Sequence, residues 1–385
     1  MTDRGVPRRS GGPLRRPGRV LAADAIGLAL VACAQRGTIV VDPEAAGTGS
    51  VAEIFVATSR GATETATIAS RVRSDAVRWG AFAVSVPPNR TPGTVTFPNS
   101  GAPDPATDFL TVSARQFPDD RAVLGAVNAR LVQRPPGERE VIVFVHGFNT
   151  NFAEGLYRHA QMVHDFQSPG VSVSYAWPSA ASVGSYGFDR ESALFARDGL
   201  EQVLMLLARS DAEQIVLAGH SMGTVVVMET IRQLAIRGSD GVLARIQAVV
   251  LLAPDLDPEL FRAEVNALAP RELPIYVSVS ARDRALRVSG LIRGQAERLG
   301  SLTDTSRIAS LPGVVVLDVT DIQGSGDPLN HFAVATSPAM ISFISGLDRV
   351  GSTMLRDEDR SVGAFTATVD AVSGVTEVKL LPRAR

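Results

Sequence analysis

A serine between two glycines is the feature of this chain with the clearest chemical meaning. Ser221 lies at the centre of a G-x-S-x-G pattern that spans residues 219–223. The apolar run 215–218 precedes the pattern, and a segment with helical spacing follows it. Strand, tight turn and helix in this order form a nucleophile elbow, which lifts the serine hydroxyl to a position that a base can reach. The sequence therefore predicts that Ser221 is a nucleophile rather than a solvated loop serine.

A second apolar run, residues 141–145, ends in His146-Gly147-Phe148-Asn149. Such a continuous run is typical of a strand that is buried on both faces of a parallel sheet. In proteins with this elbow, the loop after such a strand and the residue after the nucleophile each supply a backbone N–H to an oxyanion hole. We therefore expect the N–H groups of Phe148 and Met222 to stabilise the charge of a tetrahedral intermediate. His146 is expected to shape the loop rather than to act in catalysis.

The general base is found by elimination among five histidines. The members of a triad built on this elbow follow the chain order serine, acid, histidine, and only His331 comes after Ser221. His159 lies on the apolar stripe of a predicted helix and is expected in the core. His164 is expected on the polar side of that helix, and His220 occupies the variable position of the elbow.

The carboxylate that orients the histidine is less sharply defined, because several aspartates follow predicted strands. Asp283 comes after the strand-like run 273–280 and is the first choice, since a carboxylate there can accept the far imidazole N–H. Asp255 follows the preceding predicted strand and is the runner-up. Asp283 could instead cap a helix or pair with Arg282 or Arg284. Three other candidates rank lower: Asp257, Asp318 and Asp321.

The elbow and the oxyanion loop belong to an ordered series of short motifs between residues 50 and 345. The other members are IFVATSR at 54–60, VSVP at 84–87, WPS at 177–179, APD at 253–255 and SARDRAL at 280–286. The series resembles the bacterial α/β-hydrolase family of unknown function, whose members are described as esterase- or lipase-like. The resemblance implies a serine hydrolase with Ser221, Asp283 and His331 as its triad. Tyrosine is also common at the position of Phe148. The difference should not matter, because the backbone N–H of this residue is the group expected to act.

The arrangement of predicted elements agrees with an α/β-hydrolase fold. From residue 141 onward, apolar strands alternate with helical segments, which predicts a mostly parallel central sheet with helices on both faces. Active sites of such sheets lie at the carboxyl ends of the strands, and every candidate site residue follows a strand end. The loop 177–189 is expected either to wall a pocket or to form an aromatic structural crossover. Four short runs, expected to form hairpins at one edge, are 53–58, 80–86, 93–97 and 109–114.

The N-terminus has the composition of an export signal. Six arginines precede an apolar segment, residues 20–32, which ends in Leu30-Val31-Ala32-Cys33. Basic, apolar and then small residues form the order of an export signal, and the ending resembles a bacterial lipoprotein signal, in which the cysteine is lipidated. Asp24 departs from this pattern because it shortens the apolar stretch. Two alternatives stay open: a soluble periplasmic or secreted protein cleaved near Cys33, and a basic tail on a cytoplasmic enzyme.

The composition limits the partners. A net charge of −2 gives no basic excess for nucleic acid, and one cysteine with scattered histidines makes no zinc site. We expect no metal and no cofactor. The expected partners are a small-molecule or lipid ester and, through a lipid anchor on Cys33, a membrane of the cell envelope. The expected organisation is an export or lipoprotein signal (1–33), a linker (34–50), an α/β-hydrolase domain (51–347) and a C-terminal tail or hairpin (348–385).

The resulting hypothesis is an envelope-anchored serine hydrolase that cleaves carboxylic esters through an acyl-enzyme. The alternative from another class is a non-catalytic α/β-hydrolase scaffold that acts as an envelope binding protein. An intact set of serine, aspartate and histidine argues against that alternative, because a binding module needs none of the three. Within enzymes, thioesterase, lipase and amidase activities stay open.

Overall fold

The computed structural model describes residues 36–62, 70–98, 101–268, 271, 273–294, 297–338, 340–341, 360–362, 365–372 and 375–382. The chain divides into two compact units, Met1–Ala34 and Gln35–Arg385. The first unit contains the predicted export signal 1–33 and Cys33, and it lies outside the described residues.

Twelve strands of the described chain form one sheet. In chain order they are β1 Ser50–Arg60, β2 Arg73–Val86, β3 Leu110–Gln116, β4 Glu140–Val145, β5 Val171–Ala176, β6 Gln214–His220, β7 Ile246–Leu252, β8 Ile275–Val279, β9 Val314–Asp318, β10 Arg360–Val362, β11 Phe365–Val372 and β12 Val375–Pro382. Their order across the sheet is β10-β11-β12-β9-β8-β7-β6-β4-β5-β1-β2-β3. The contiguous strands from β12 to β1 pair in parallel. The outer strands at both ends pair antiparallel.

Helices cover both faces of this sheet. The described α-helices are α1 Asp120–Leu131, α2 Phe152–Asp165, α3 Tyr186–Leu207, α4 Gly223–Ile236, α5 Asp240–Leu243, α6 Pro258–Leu268, α7 Arg284–Ile292, α8 Ser306–Ala309 and α9 Ala333–Thr336. Alternate residues of β4 point to opposite faces. Val143 and Val145 join the main core with residues of α1, α3, α4 and α6, whereas Phe144 packs in a second cluster with Phe332 and with residues of α9. The fold is therefore the predicted α/β-hydrolase fold.

The positions of the strands near the N-terminal edge of the sheet test several local predictions. Asp119 caps α1, because its side chain accepts a hydrogen bond from the Ala122 N–H. The runs 53–58, 80–86 and 109–114 lie within or overlap β1, β2 and β3. The run 93–97 is not a strand, so that prediction is wrong. Gly93 has a φ of 85°, and its N–H donates to Asp165 instead of to a neighbouring strand.

The segment 36–49, expected to be part of a linker, packs against the domain instead. The Val40 carbonyl and the Asp42 N–H both bond to the backbone of Thr111 on β3. Ala45 is fully buried, and its carbonyl accepts a hydrogen bond from Ser85. The expectation of a linker reaching to residue 50 is therefore wrong for the described residues. The β-branched run 38–41 could have indicated this, because such residues favour strand pairing.

The C-terminal region forms a hairpin from β11 and β12, one of the two forms that the sequence left open. It does not stand apart from the fold, because β12 pairs in parallel with β9 and so continues the main sheet.

Candidate active site

The predicted site lies where the order of the strands reverses. β4 and β6 are neighbours in the sheet, but the chain leaves β4 for β5 on one side and leaves β6 for β7 on the other. The loops that follow β4 and β6 therefore diverge and leave a crevice at their carboxyl ends, which is where open α/β sheets bind their ligands. The elbow and the oxyanion loop are these two loops.

The elbow has the strained geometry that its motif predicts. Ser221 has a φ of 52°, in the left-handed region, and its N–H donates to the Leu252 carbonyl at 2.9 Å. A Cβ atom at Gly219 would lie 3.0 Å from a methyl group of Val227. A Cβ atom at Gly223 would collide with the backbone carbonyl oxygens that end β4 and begin the next loop. The two glycines are thus required by close packing around the serine.

The oxyanion loop lies directly against the elbow. A Cβ atom at Gly147 would stand 2.9 Å from the Cβ of Ser221, so only a glycine permits this approach. Within the described residues, neither the Phe148 N–H nor the Met222 N–H donates to a protein acceptor. Neither N–H group therefore has a competing protein acceptor among the described residues. Their action in catalysis stays a prediction.

Buried side chains fix the backbone after Phe148. The carboxylate of Asp189 is fully buried and accepts a hydrogen bond from the Asn149 N–H at 3.3 Å. Arg60, which is 1% exposed, donates to the Thr150 carbonyl at 3.0 Å. Burial raises the pKa of Asp189, and three hydrogen bonds together with the nearby charge of Arg60 oppose that rise. The loop is therefore held by groups inside the fold.

His146 has the structural role that the sequence favoured. Its ring is buried, stacks on Trp177 with 5.1 Å between ring centroids, and lies within hydrogen-bond distance of the carbonyls of Gly147 and Trp177. Trp177 in turn donates its indole N–H to the His146 carbonyl at 2.6 Å. Burial, followed by the charge of Arg60, lowers the pKa of His146 to about 3. A histidine with this pKa stays neutral and shapes the loop.

His331 and Asp283 meet at the carboxyl ends of the strands. The distance between His331 Nδ1 and Asp283 Oδ2 is 2.7 Å, and the second carboxylate oxygen accepts the Leu286 N–H at 2.9 Å. Asp283 therefore caps α7 and contacts the histidine at the same time, and its role as the orienting acid stays a prediction. Burial alone lowers the pKa of His331, but the charge and hydrogen bond of Asp283 outweigh it, and the pKa rises above its usual 6.5.

The loop that presents His331 is held in place by its own short-range bonds. Asn330 has a φ of 52°, and its N–H donates to the Asp327 carbonyl at 3.1 Å. The Asp327 carboxylate accepts the Phe332 N–H at 2.6 Å. The imidazole of His331 is 17% exposed, so it can still be reached from solvent.

His220 is a site residue whose position the sequence did not reveal. Its ring lies 4.8 Å from the ring of His331 and 3.9 Å from that of Phe332, measured between centroids. Burial, with a smaller contribution from the charge of His331, lowers its pKa well below the usual value. A neutral imidazole therefore packs against the candidate base. In the sequence, its position next to Ser221 in the elbow could have indicated that its ring lies at the site.

Leu252 contacts Ser221 and also lines the cavity beside His331. Its carbonyl accepts the Ser221 N–H, and the cavity, which has a volume of about 10 Å³, is also lined by Asp283. In the described part of the chain, no hydrogen bond joins the Ser221 hydroxyl to the imidazole. Such bonds are often long in unliganded enzymes and shorten when the substrate binds.

The other candidate acids have partners of their own. Asp255 is 2% exposed and binds Arg298 at 2.8 Å, Ser289 at 2.6 Å and the Tyr186 hydroxyl at 2.8 Å. Its carboxylate therefore belongs to a buried ion pair and not to the histidine. The lower-ranked carboxylates are also engaged. Asp257 caps α6, and Asp318 accepts a hydrogen bond from the Thr320 N–H. Asp321 pairs with Arg282.

The loop 177–189 has the features of a structural crossover, and its other interpretation, a pocket wall, stays a prediction. Trp177 is fully buried and plugs the interior beside His146, as expected of a structural crossover. Tyr186 lies at the rim of the site, where its ring meets Phe148 edge-on with 5.3 Å between centroids. Within the described ranges, no group of three or more histidine, cysteine, aspartate or glutamate residues is placed to hold a metal ion.

Three solved structures illustrate what this chain resembles. Dienelactone hydrolase from Anabaena variabilis is 13% identical over 56% of this chain and 85% of that protein, with a TM-score of 0.34. The esterase Est22 is 12% identical over 79% of this chain and 81% of its own, with a TM-score of 0.35. Trichoderma reesei cutinase is 18% identical over 35% of this chain and 66% of its own, with a TM-score of 0.22.

No curated protein matches this chain significantly. A family model described as alpha/beta hydrolase of unknown function (DUF900) matches residues 124–347. This range begins within α1. It contains the candidate site residues Phe148, Ser221, Met222, Asp283 and His331. The chain therefore belongs to the α/β-hydrolase family of unknown function DUF900.

Proposed function

We propose that this protein is a serine hydrolase that cleaves carboxylic esters through an acyl-enzyme. The observation that carries the proposal is the 2.7 Å contact between His331 and Asp283, at the same edge of the sheet as the elbow. A neutral histidine whose far nitrogen is held by a carboxylate, beside a serine on a strained turn, is the arrangement that activates a hydroxyl for acyl transfer.

The proposed reaction proceeds in two halves. His331 Nε2 removes the proton of Ser221 as Oγ attacks the ester carbonyl, and Asp283 stabilises the imidazolium that forms. The N–H groups of Phe148 and Met222 bind the oxyanion, an interaction worth about 3–4 kcal/mol per donor in the transition state. His331 then protonates the departing alcohol. A water molecule, deprotonated by the same histidine, attacks the acyl group and releases the acid and free Ser221.

The test combines an active-site probe with substrates. Purified protein is treated with a fluorophosphonate and then assayed on p-nitrophenyl esters of increasing acyl length, with a thioester and an anilide for comparison. Ser221→Ala should abolish labelling and lower kcat on the order of 10⁴- to 10⁶-fold. Ser310→Ala, which changes an exposed serine after α8, is the control and should behave like the wild type.

The outcomes separate the candidate functions. Labelling that persists in Ser221→Ala would remove the nucleophile assignment. A folded wild type that neither labels nor hydrolyses any substrate would favour the non-catalytic binding scaffold. Faster cleavage of the thioester or the anilide than of every ester would replace the ester substrate with that bond.

We propose in addition that Cys33 is lipidated and anchors the protein in the cell envelope. The support is the order of residues 1–33: arginines, an apolar segment and then Leu30-Val31-Ala32-Cys33. No helix among the described residues is long and apolar enough to cross a membrane. Intact-mass analysis of membrane-extracted protein should give a chain that begins at Cys33 and carries acyl groups. A chain that starts after Ala34 without lipid would indicate a soluble periplasmic or secreted protein, and one that retains Met1 would indicate neither.

A further inference from the structure

Arg36, from the segment that the sequence assigned to a linker, contacts the oxyanion loop. One guanidinium nitrogen donates to the side-chain oxygen of Asn149 at 3.1 Å, and another donates to the Asn149 carbonyl at 3.0 Å. That second nitrogen also pairs with Glu154 at 2.8 Å. Asn149 directly follows Phe148, whose N–H is a proposed oxyanion donor. The guanidinium therefore joins the backbone of the oxyanion loop to the first turn of α2.

The next residue fixes the position from which Arg36 reaches this loop. The Gly37 N–H donates to Glu154 at 3.0 Å, and its carbonyl accepts a hydrogen bond from Asn151 at 2.8 Å. A Cβ atom at Gly37 would lie 2.6 Å from the ring of Phe97 and 2.8 Å from Glu154. The segment fits here only because residue 37 is glycine. Arg36 is thus anchored by the backbone of its neighbour Gly37 and by its own side-chain bonds.

Asn149 is a residue whose conformation needs such support. Its φ of 54° lies in the left-handed region, which is unfavourable for residues with a side chain, although asparagine tolerates it better than most. Asp189 holds its N–H from inside the fold at 3.3 Å. Arg36 holds both its carbonyl and its side chain from outside. A rotation of Asn149 would be transmitted to the adjoining residue and would turn the Phe148 N–H away from the oxyanion position.

We propose that Arg36 is a positioning residue that holds the Phe148 N–H in line for the oxyanion. This inference rests on the proposed function, because it assigns a role in the same acyl-transfer site. Arg36 touches no reacting atom and acts only through Asn149. Preorganised donors stabilise a transition state because they need no reorganisation when charge appears, and a side chain that fixes their direction contributes to that preorganisation.

Arg36 can be tested cleanly because it is accessible. Its side chain is 39% exposed, whereas Arg60 is 1% exposed and Asp189 is fully buried. Removal of either buried group would leave uncompensated charge in the interior and would confound the result with unfolding. Arg130 offers a matched control, since it pairs with Glu53 across an ion pair whose side chains are 43% and 32% exposed. That pair joins α1 to β1 and lies outside the candidate site.

The experiment compares Arg36→Ala, Arg36→Lys and Arg130→Ala in the full chain. Arg36→Ala should lower kcat by about 10- to 100-fold, the range expected for a small misplacement of a catalytic group, and should change KM less than twofold. The inhibition constant of a boronic acid, which forms a tetrahedral adduct on the serine, should rise by the same factor as kcat/KM falls. Arg36→Lys should recover part of the loss, and Arg130→Ala should match the wild type in every assay.

Three results in the kinetic, stability and boronate assays, and a fourth in the labelling assay, would overturn the positioning role. The first is an Arg36→Ala variant with the kcat of the control. The second is a loss of kcat that is accompanied by a loss of thermal stability, when Arg130→Ala shows no such loss of stability. The third is a boronate affinity that does not change. The rate of fluorophosphonate labelling separates this failure from failure of the proposed function: an unlabelled wild type overturns both, whereas equal labelling of wild type and Arg36→Ala overturns only the positioning role.

Discussion

Replacing Asp283 with asparagine should remove catalysis while leaving the fold intact. Asp283 makes two contacts, one to His331 Nδ1 at 2.7 Å and one to the Leu286 N–H at 2.9 Å. The introduced asparagine could keep the second contact, because asparagine caps helices about as well as aspartate. The new amide would then present its NH2 group to His331. An NH2 group can only donate, so it would stabilise the tautomer whose proton lies on Nε2, where that nitrogen cannot accept the serine proton.

The expected loss of kcat follows from the contact with His331, and the expected change in unfolding free energy follows from the contact with Leu286. The wrong tautomer costs on the order of 10⁴ in kcat in a serine triad, which corresponds to about 5.4 kcal/mol of transition-state stabilisation. The retained cap should keep the change in unfolding free energy within about 1 kcal/mol. Asp255→Asn should show the opposite pattern. It leaves the fully buried Arg298 without its carboxylate, so it should destabilise the fold by about 3–5 kcal/mol and affect kcat far less in the fraction that folds.

The assay is steady-state ester hydrolysis on protein that circular dichroism shows to be folded, together with chemical denaturation of each variant. The two measurements should rank the variants in opposite orders. An Asp283→Asn variant with kcat near that of the wild type, or an Asp255→Asn variant that is stable but inactive, would transfer the orienting role to Asp255. The 2.7 Å contact between His331 and Asp283 would then be structural only.

Three further outcomes follow from the site and its surroundings. Because the pKa of His331 is raised and the base must be neutral, kcat/KM should decline on the acid side around an apparent pKa above 6.5; an apparent pKa below that value would contradict the His331–Asp283 coupling. Gly147→Ala should lower kcat and also the thermal midpoint, since the added methyl would lie 2.9 Å from the Ser221 Cβ and 2.8 Å from the His220 ring and would move the oxyanion loop; unchanged kcat would mean that the loop yields freely. Burial raises the pKa of Glu264 from 4.5 to about 8, so the folded state holds a proton that the unfolded state has lost between these values. The unfolding free energy should therefore fall as pH rises from about 5 to 8 and should fall less in Glu264→Gln; parallel curves would refute this.

Much of the site geometry could be predicted from the sequence because its signals are local. A buried strand that ends in a glycine-flanked serine fixes the elbow, since both neighbours must be small where the turn meets the adjoining loop. The position of His331 followed from chain order alone. These residues lie as predicted, and their catalytic roles stay predictions.

The choice between the two acids could not be made from local pattern. Asp283 and Asp255 both follow apolar strands, and both are buried. What separates them is Arg298, which lies 43 positions from Asp255 in the chain and binds it in the interior. A contact of that separation leaves no mark on the spacing of nearby residues. The segment 36–49 was misjudged for a related reason: its polar and glycine-rich composition hid a backbone bond to Thr111 on a strand far along the chain.

Strained backbone conformations are concentrated around Ser221. Of six described non-glycine residues with positive φ, four lie beside the site: Asn149, Ser221, Ala253 and Asn330. Each such conformation costs of order 1–3 kcal/mol and persists only where neighbours overdetermine it. Here the neighbours are specific, since Asn149 is held by Arg36 and Asp189. Under the proposed function, this strain holds the loops that carry the hydroxyl of Ser221, the N–H group of Phe148 and the imidazole of His331.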